Sequence, residues 1–427
     1  MARLRTAGTD VVSPYTGLVA YSHPMAFTPD AIPDALHSAR TADTGFLAGI
    51  PTEGFSMGPG GDGAAARRSC VGEAVERLSL AGARGSFRTP LGSDARQVEP
   101  DAFRRFHPAQ REDPAFPFER AERGDLLTWL AARSLHGGRP VHVPAQMVVF
   151  DDPHASDGHR ERHLEPATSS GVAAGPTFGF AAGRAILELI ERDAFQRAWL
   201  RGSTPPVFDW RASPRLAEAT RRELARLEEL CGRFGAAFSL RVLDAAADVP
   251  VLLAVMRSDR IGVAVGCAAD FRLDRAVLNA VLNAVREAVH THNWCLRLLP
   301  RPPVEPSAVV EFEDHVRLHC PPSARPLSAA LDASDERVAS VGGPSSWGEV
   351  VEGLHREGIE VLLAGITSPE VRAAGFHVVR ALSPDLVALD VRHDARFLGH
   401  PRLYRRWRDG PAIHGPADLV GIPHPFP

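Results

Sequence analysis

Two short patterns in this chain put charge where charge is expensive. Glu188, Glu191 and Arg192 are spaced i, i+3, i+4 inside an apolar run that holds Ile186, Leu187, Leu189 and Ile190. Residues three and four apart on a helix share one face. Carboxylates and a guanidinium in an apolar segment are costly to bury unless they pair with each other, a metal or a ligand. The same spacing recurs upstream as Glu73, Glu76 and Arg77. One such pattern is usually a solvated ion-pair face. Here each copy follows a Gly-rich loop, GPGGDG from Gly58 to Gly63 and SGVAAG from Ser170 to Gly175. The repeated loop and spacing read as two related units facing one site. Four glutamates on two facing helices suit a hard divalent cation, and Mg²⁺ usually arrives with substrate phosphates. Glu73, Glu76, Glu188 and Glu191 are therefore expected to converge on a metal. Gly-rich loops ahead of helix N-termini suit the phosphates themselves.

Such a site needs helices that hold the glutamates and strands that hold the helices. The spacing predicts one helix over 179–200 and another starting after Gly63. A third helix is expected over 274–298, carrying Arg286, Glu287, His290 and His292, and further helices over 215–234 and 347–356. Segments 238–243, 251–256 and 261–266 read as strands, antiparallel or mixed because their connections are too short for helical crossovers. Strands are also expected over 141–143 and 146–150, split by Pro144, and over 360–366 and 376–381. The polar stretch 151–166, with His159 and His163, reads as an exposed loop, and the Pro-rich, charged stretch 299–345 as an excursion from the fold. The result is a mixed α/β (α+β) chain with an internal pseudo-repeat. Residues 1–60 form an N-terminal loop and strand region, and 61–427 the main domain.

Composition narrows the function. With 44% hydrophobic and 23% charged residues, the 427-residue chain has ample apolar material for a globular core. A net charge of −4 gives no electrostatic reason to expect nucleic acid or an anionic membrane as partner. The five cysteines are odd in number and none stands in a CxxC pair, which argues against a disulfide framework or a thiolate zinc site. The N-terminus lacks the apolar stretch of a signal peptide, and no apolar run is long enough to span a membrane. A cytoplasmic protein is the expectation.

The chain ends Pro423-His424-Pro425-Phe426-Pro427. Alternating prolines favour an extended segment with little entropy to lose on docking. Phe426 offers it an apolar anchor. From the residues alone, the segment either docks or frays as a chain end.

These residues together resemble the YcaO family. Ser69, Glu73, Glu76 and Arg77 match its SxxxExxER helix, and Ser169 to Gly175 followed by Glu188, Glu191, Arg192, Asp193 and Ala194 match its loop leading into ExxERDA. Gly266, Asp270 and Glu287 resemble a third element, and Ser383 to Leu386 with Leu398 to Leu403 resemble the family's ending. The resemblance covers most of residues 55–427 and implies a YcaO-type fold, with long helices lining a central Mg-ATP site. It implies ATP contacts from Ser69, Glu73, Glu76, Arg77, Glu188, Glu191, Arg192 and Glu287, with Mg²⁺ on the four helical glutamates.

In that family a terminal PxPxP, matched by Pro423, Pro425 and Pro427, is typical of azoline formers, which implies a tail that enters the protein near the site and leaves position 424 free. The resemblance then implies that a Cys, Ser or Thr of a ribosomal precursor peptide attacks the preceding carbonyl, that ATP phosphorylates the amide oxygen, and that loss of phosphate closes a thiazoline or oxazoline. Arg192 and the tail prolines would be the catalytic set. A separate leader-binding partner, E1-like or RRE-containing, is expected, and a homodimer is compatible with the resemblance. Thioamide or amidine formation, and a non-catalytic peptide-binding scaffold, are the alternatives. The scaffold draws on departures from the family pattern: Asp62 in the first Gly-rich loop, Phe180 where a glutamate is common, Arg184 where a glutamine is common, and His290 and His292 after the third-helix glutamate.

Overall fold

A computed structural model describes residues 5–6, 9–25, 35–43, 54–60, 62–83, 87–150, 161–290, 304–405 and 412–426. The chain opens with a short hairpin, β1 (Arg5–Thr6) and β2 (Thr9–Asp10). Next comes an antiparallel three-stranded sheet of β3 (Val19–Pro24), β4 (Ala35–Thr41) and β5 (Phe55–Gly60). Helix α1 (Gly63–Gly82) packs across this sheet, burying Ala66, Cys70, Val71, Ala74, Val75 and Leu78 at helical spacing. The approach is close enough to require glycine: a Cβ on Gly58 would fall 2.1 Å from the Cys70 nitrogen. Asp62 starts the helix by accepting the Ala65 N–H at 2.7 Å. That satisfies one of the donors every helix start leaves open.

β6 (Phe87–Pro90), β7 (Leu126–Ser134) and β8 (Pro140–Pro144) follow as antiparallel neighbours. β9 (Val172–Gly175) then leads into the central helix α2 (Phe178–Leu200), capped by the Thr177 hydroxyl, which accepts the Phe180 N–H at 3.2 Å. At 1.5 Å per residue its 23 residues span about 34 Å. After α2 come β10 (Val207–Phe208), α3 (Glu218–Arg233), the strands β11 (Ala236–Leu243), β12 (Val251–Ser258) and β13 (Ala264–Ala269), and α4 (Leu273–His290). The chain closes with α5 (Phe312–His319), β14 (Arg337–Val338), α6 (Trp347–Arg356), β15 (Leu362–Gly365), α7 (Pro369–Ala373) and β16 (His377–Leu382).

Two larger sheets organise these parts. One runs β13-β12-β11-β10-β14, antiparallel except for the β10–β14 pair. The other runs β6-β7-β15-β16-β9, with β8 added to β7, and is antiparallel throughout. β12 is apolar on both faces because both are covered. Val251, Leu253 and Val255 enter the core around α2, while Leu252, Ala254 and Met256 enter the core under α3 and α4. This is the alternation that a strand imposes on its side chains. No helix among the described residues is long and apolar enough to cross a membrane.

The expected mixed α/β architecture is present, with some local corrections. Residues 146–150 are not a strand: Pro144 ends β8 and Ala145–Met147 turn into a short 3₁₀ helix. The third strand of the 236–269 sheet starts at Ala264 rather than at 261. The stretch 299–345 is not an excursion where it is described. It folds into α5, a long 3₁₀ segment over Pro322–Asp332, and β14, with His315, Val316, Leu318 and His319 buried. Its prolines hid a short amphipathic helix. Residues 151–160, with His159, and residues 291–298, with His292, lie outside the described residues.

Candidate nucleotide and cation site

α1, α2 and α4 converge on one cavity of about 610 Å³, closed by strands β9 and β13 and by α5. Ser69, Glu73, Glu76 and Arg77 line it from α1, Glu188, Glu191 and Arg192 from α2, and Glu287 from α4. All eight residues expected to contact the nucleotide thus share a single space. A comparable cavity of about 650 Å³, between Asp244, Asp248 and Arg356, holds none of them.

The two ExxER copies repeat in three dimensions. In each, the first glutamate pairs with the arginine one turn on: Arg77 donates to Glu73 at 3.0 Å, and Arg192 to Glu188 at 3.2 Å. In each, the second glutamate accepts a backbone N–H from a neighbouring strand. The Ala174 amide of β9 donates to Glu76 at 2.7 Å, and the Ala269 amide of β13 to Glu191 at 3.3 Å. Burial pushes both second glutamates up, Glu76 to about 8 and Glu191 to about 7. Nearby carboxylates add to the rise, Glu188 and Glu73 for Glu76, and Glu188 for Glu191.

Beyond that pattern the copies diverge. The Arg77 side chain is 42% exposed, whereas that of Arg192 is 18% exposed and also reaches Glu191 at 3.1 Å. Burial alone would lower the Arg192 pKa, but the carboxylates of Glu191 and Glu188 outweigh it and raise it. The guanidinium is held as a permanent cation.

The metal expectation needs one correction. Among the described residues no three acidic, His or Cys side chains close around a point as a ready metal site. The reason is visible in the pairing: Glu73 and Glu188 are turned to arginines and Glu76 to a backbone amide. The donor set nevertheless fits Mg²⁺ carried by phosphates. That ion commonly takes only one or two protein carboxylates and keeps water and phosphate for the rest. Two buried carboxylates that hold protons near neutrality are also groups a cation would deprotonate and stabilise.

Glu287 is 3% exposed, and its Oε1 is buried without a hydrogen-bond partner, as is Nε of Arg286 beside it. Unsatisfied polar atoms of this kind in a cavity wall mark places where a ligand is expected. Cys267 also lines the cavity, but burial, reinforced by Glu191, raises its thiol well above the usual range, so it stays protonated.

The C-terminal tail reaches this site. Phe426 is buried and lines the cavity, with the Arg192 guanidinium 4.2 Å from its ring centroid and the Phe195 ring centroid 4.8 Å away. The rest of the tail is held by backbone carbonyls. Trp199 Nε1 donates to Ile422 at 2.9 Å, His319 Nε2 lies 2.8 Å from the Pro423 oxygen, and His315 Nδ1 lies 2.8 Å from the His424 oxygen. Two expectations are corrected here. Pro423 and Pro425 are buried and are not among the residues that line the cavity. Position 424 is not free: His424 is 1% exposed, stacks on His315 at 3.9 Å, and its Nε2 lies 2.8 Å from the Asp390 carbonyl. Pro427 lies outside the described residues.

Sequence reasoning missed several contributors. His315 and His319 were hidden in the Pro-rich stretch, where only their i, i+4 spacing within FEDHVRLH could have signalled a shared face. Asp193, noted only as part of a motif, is fully buried between Arg197 at 2.8 Å and Arg402 at 3.0 Å, and fastens α2 to the C-terminal segment. Burial would raise its pKa, but these two guanidiniums hold it below the usual carboxylate range.

A cavity with paired acidic helices, fixed guanidiniums and close Gly-rich strands defines a protein that binds a phosphorylated nucleotide with a divalent cation. Residues 57–387 match the family described as YcaO cyclodehydratase, ATP- and Mg²⁺-binding, and the chain belongs to that family. ATP and Mg²⁺ are its cofactors. The fold is also that of solved structures at low identity. A heterocyclase in complex with substrate and cofactor aligns at a TM-score of 0.74 and 19% identity, over 97% of this chain and 56% of that one, so the present chain spans little more than half of that protein. YcaO from Methanopyrus kandleri bound with AMPPCP and Mg²⁺ aligns at 0.59 and 19%, over 86% of each chain. The E. coli microcin synthetase McbBCD complex with pro-MccB17 bound aligns at 0.64 and 14%, over 99% of this chain and 100% of that one. No curated protein sequence matches the chain significantly.

Proposed function

We propose that this chain closes thiazoline or oxazoline rings on Cys, Ser or Thr residues of a ribosomal precursor peptide, together with a separate leader-binding partner. The observation that carries the reading is the contact of Phe426 with Arg192. It makes the proline-rich tail part of the wall of the nucleotide cavity. A tail that only stabilised the fold would have no reason to end on the cavity's buried guanidinium. The solved microcin synthetase, a complex with pro-MccB17 bound, supports a peptide substrate and a multi-protein setting.

The residues divide the work by charge. Bound Mg-ATP supplies the phosphoryl group that turns an amide oxygen into a leaving group. Arg192, held by two carboxylates under an aromatic ring, offers a fixed cation where transferred charge accumulates. Glu76 and Glu191, once deprotonated, would be the residues to offer oxygen ligands to the cation. Glu287 adds a buried acceptor from the third side. The nucleophile belongs to the peptide, which agrees with a Cys267 thiol kept protonated. The reaction belongs in the cytoplasm, where ATP and the nascent peptide are both available.

Phe180, standing where the family commonly has glutamate, favours a second reading in which the chain binds peptide without turning over ATP. Incubating the chain with its partner, a Cys-rich precursor peptide, ATP and Mg²⁺ separates the two. Cyclisation predicts ADP release together with the loss of one water per ring by mass spectrometry. Peptide binding without either product would leave the scaffold reading standing and end the first.

A further inference from the structure

Four arginines line the cavity, and one differs from the rest. Arg77 and Arg192 are each committed to a glutamate on their own helix, at 3.0 and 3.2 Å. Arg286, on α4, has its Nε buried. Arg184 holds no glutamate of its own helix: it lies one turn ahead of Glu188, its side chain is as exposed as that of Arg77, and its ion pair is a loose one, 3.6 Å to Asp270.

The surroundings favour a guanidinium that can move onto a ligand. The residue one turn earlier is Phe180, 50% exposed, which offers Arg184 no carboxylate. The carboxylate one turn later, Glu188, already serves Arg192. Asp270 does not depend on Arg184, because the Arg272 amide donates to it at 2.9 Å and the Arg272 guanidinium lies 3.7 Å away. Arg184 can therefore leave Asp270 without stranding a buried charge. It also acts on the metal-ligand candidates: its charge lowers the pKa of both Glu76 and Glu191. Along α2 the order is aromatic ring, guanidinium, carboxylates, at Phe180, Arg184, Glu188 and Glu191, in steps of about 6 Å or less along the axis.

From this placement we infer that Arg184 is a nucleotide-phosphate ligand of this chain, supplying a fixed positive charge that lessens its dependence on divalent cation. The inference rests on the ATP reading above and adds a residue that the eight expected nucleotide contacts do not include. A guanidinium in this position forks onto phosphate oxygens and, unlike Mg²⁺, needs no free ion.

Calorimetric titration of the full chain with AMPPCP, across a series of Mg²⁺ concentrations, tests it. Arg184→Gln should weaken AMPPCP binding by about tenfold or more, the scale of a lost charged hydrogen bond. It should also raise the Mg²⁺ concentration needed for half-maximal binding. Arg184→Lys should recover part of the affinity. The thermal midpoint of the ligand-free variants should stay at the wild-type value, since Asp270 keeps Arg272. Wild-type AMPPCP affinity and Mg²⁺ dependence in Arg184→Gln would overturn the inference while leaving the ATP reading intact. A change confined to peptide affinity would also overturn it, assigning Arg184 to the other substrate. Failure of the wild-type chain itself to bind AMPPCP would overturn the ATP reading and this inference with it.

Discussion

α1 and α2 carry the same five-residue charge pattern and place it differently. Each pairs its first glutamate with its arginine and gives its second glutamate a strand amide. Arg77 is half-buried and holds a single carboxylate. Arg192 lies beside two carboxylates and against Phe426 in the cavity wall. The spacing fixes the i, i+4 pair, but the surroundings fix its strength. An ion pair near water is worth little, whereas the same charges with water excluded act strongly on whatever enters the cavity. α1 therefore holds the more exposed arginine and α2 the more enclosed one.

That difference can be broken or sharpened by experiment. The largest effect should come from conservative exchange of the arginines. Arg192→Lys keeps the charge but loses the planar fork and the stacking on Phe426, so ATP-dependent turnover should fall by about a hundredfold or more. Arg77→Lys should cost no more than a few-fold, because its guanidinium is the more exposed of the two, pairs with one carboxylate and has no stacked ring. Equal losses in the two variants would break the comparison.

Removing Gly421 to Pro427 should come next. The tail carries the aromatic ring that α1 lacks, so its loss should make Arg192 behave more like Arg77 and lower turnover by about tenfold to a hundredfold. The thermal midpoint should drop as well, because Phe426 and His424 are buried and Pro423 and His424 are held by α5. Deletion with normal turnover and a lowered midpoint would assign the tail to stability alone.

The smallest effect is a dependence on pH that both helices should share. Glu76 and Glu191 are raised to about 8 and 7 by burial. A carboxyl raised above its unfolded value of 4.5 stabilises the fold fully below that value, and loses this contribution as pH rises through its folded pKa. Relative to a Glu76→Gln, Glu191→Gln variant, in which the buried histidines titrate alike, the ligand-free wild-type protein should therefore lose thermal stability between about pH 5 and 8. The stabilisation by Mg²⁺ with AMPPCP should grow over the same window, since the cation binds the deprotonated forms. A midpoint shift independent of pH, in wild type and in Glu191→Gln alike, would remove these two carboxylates from cation binding.

Much of this molecule was legible in its sequence, because helical spacing is local. Glu73, Glu76 and Arg77, like Glu188, Glu191 and Arg192, had to share a face once their segments were helices, and apolar neighbours made those segments helices. The antiparallel β11 to β13 sheet followed from connections too short to cross over. The joining of the two charge patterns into one cavity was inferred from their repetition, not from any local signal.

Tertiary structure alone decided the rest. Nothing in the local pattern separates Arg77 from Arg192, since part of what covers Arg192 is chain more than two hundred residues away, the tail at Phe426. Nor could spacing show that Glu76 and Glu191 would take amides from β9 and β13, because those strands approach from other parts of the chain. α5 was masked by its Pro-rich flanks, and the value of His315 and His319 exists only where the tail's carbonyls arrive. His424 looked like a spacer because a motif records which residues recur, and a backbone carbonyl such as that of Asp390, to which its ring is bound, leaves no trace in one. Sequence sets which charges can stand side by side on one element; which of them lose their water is a property of everything packed around that element.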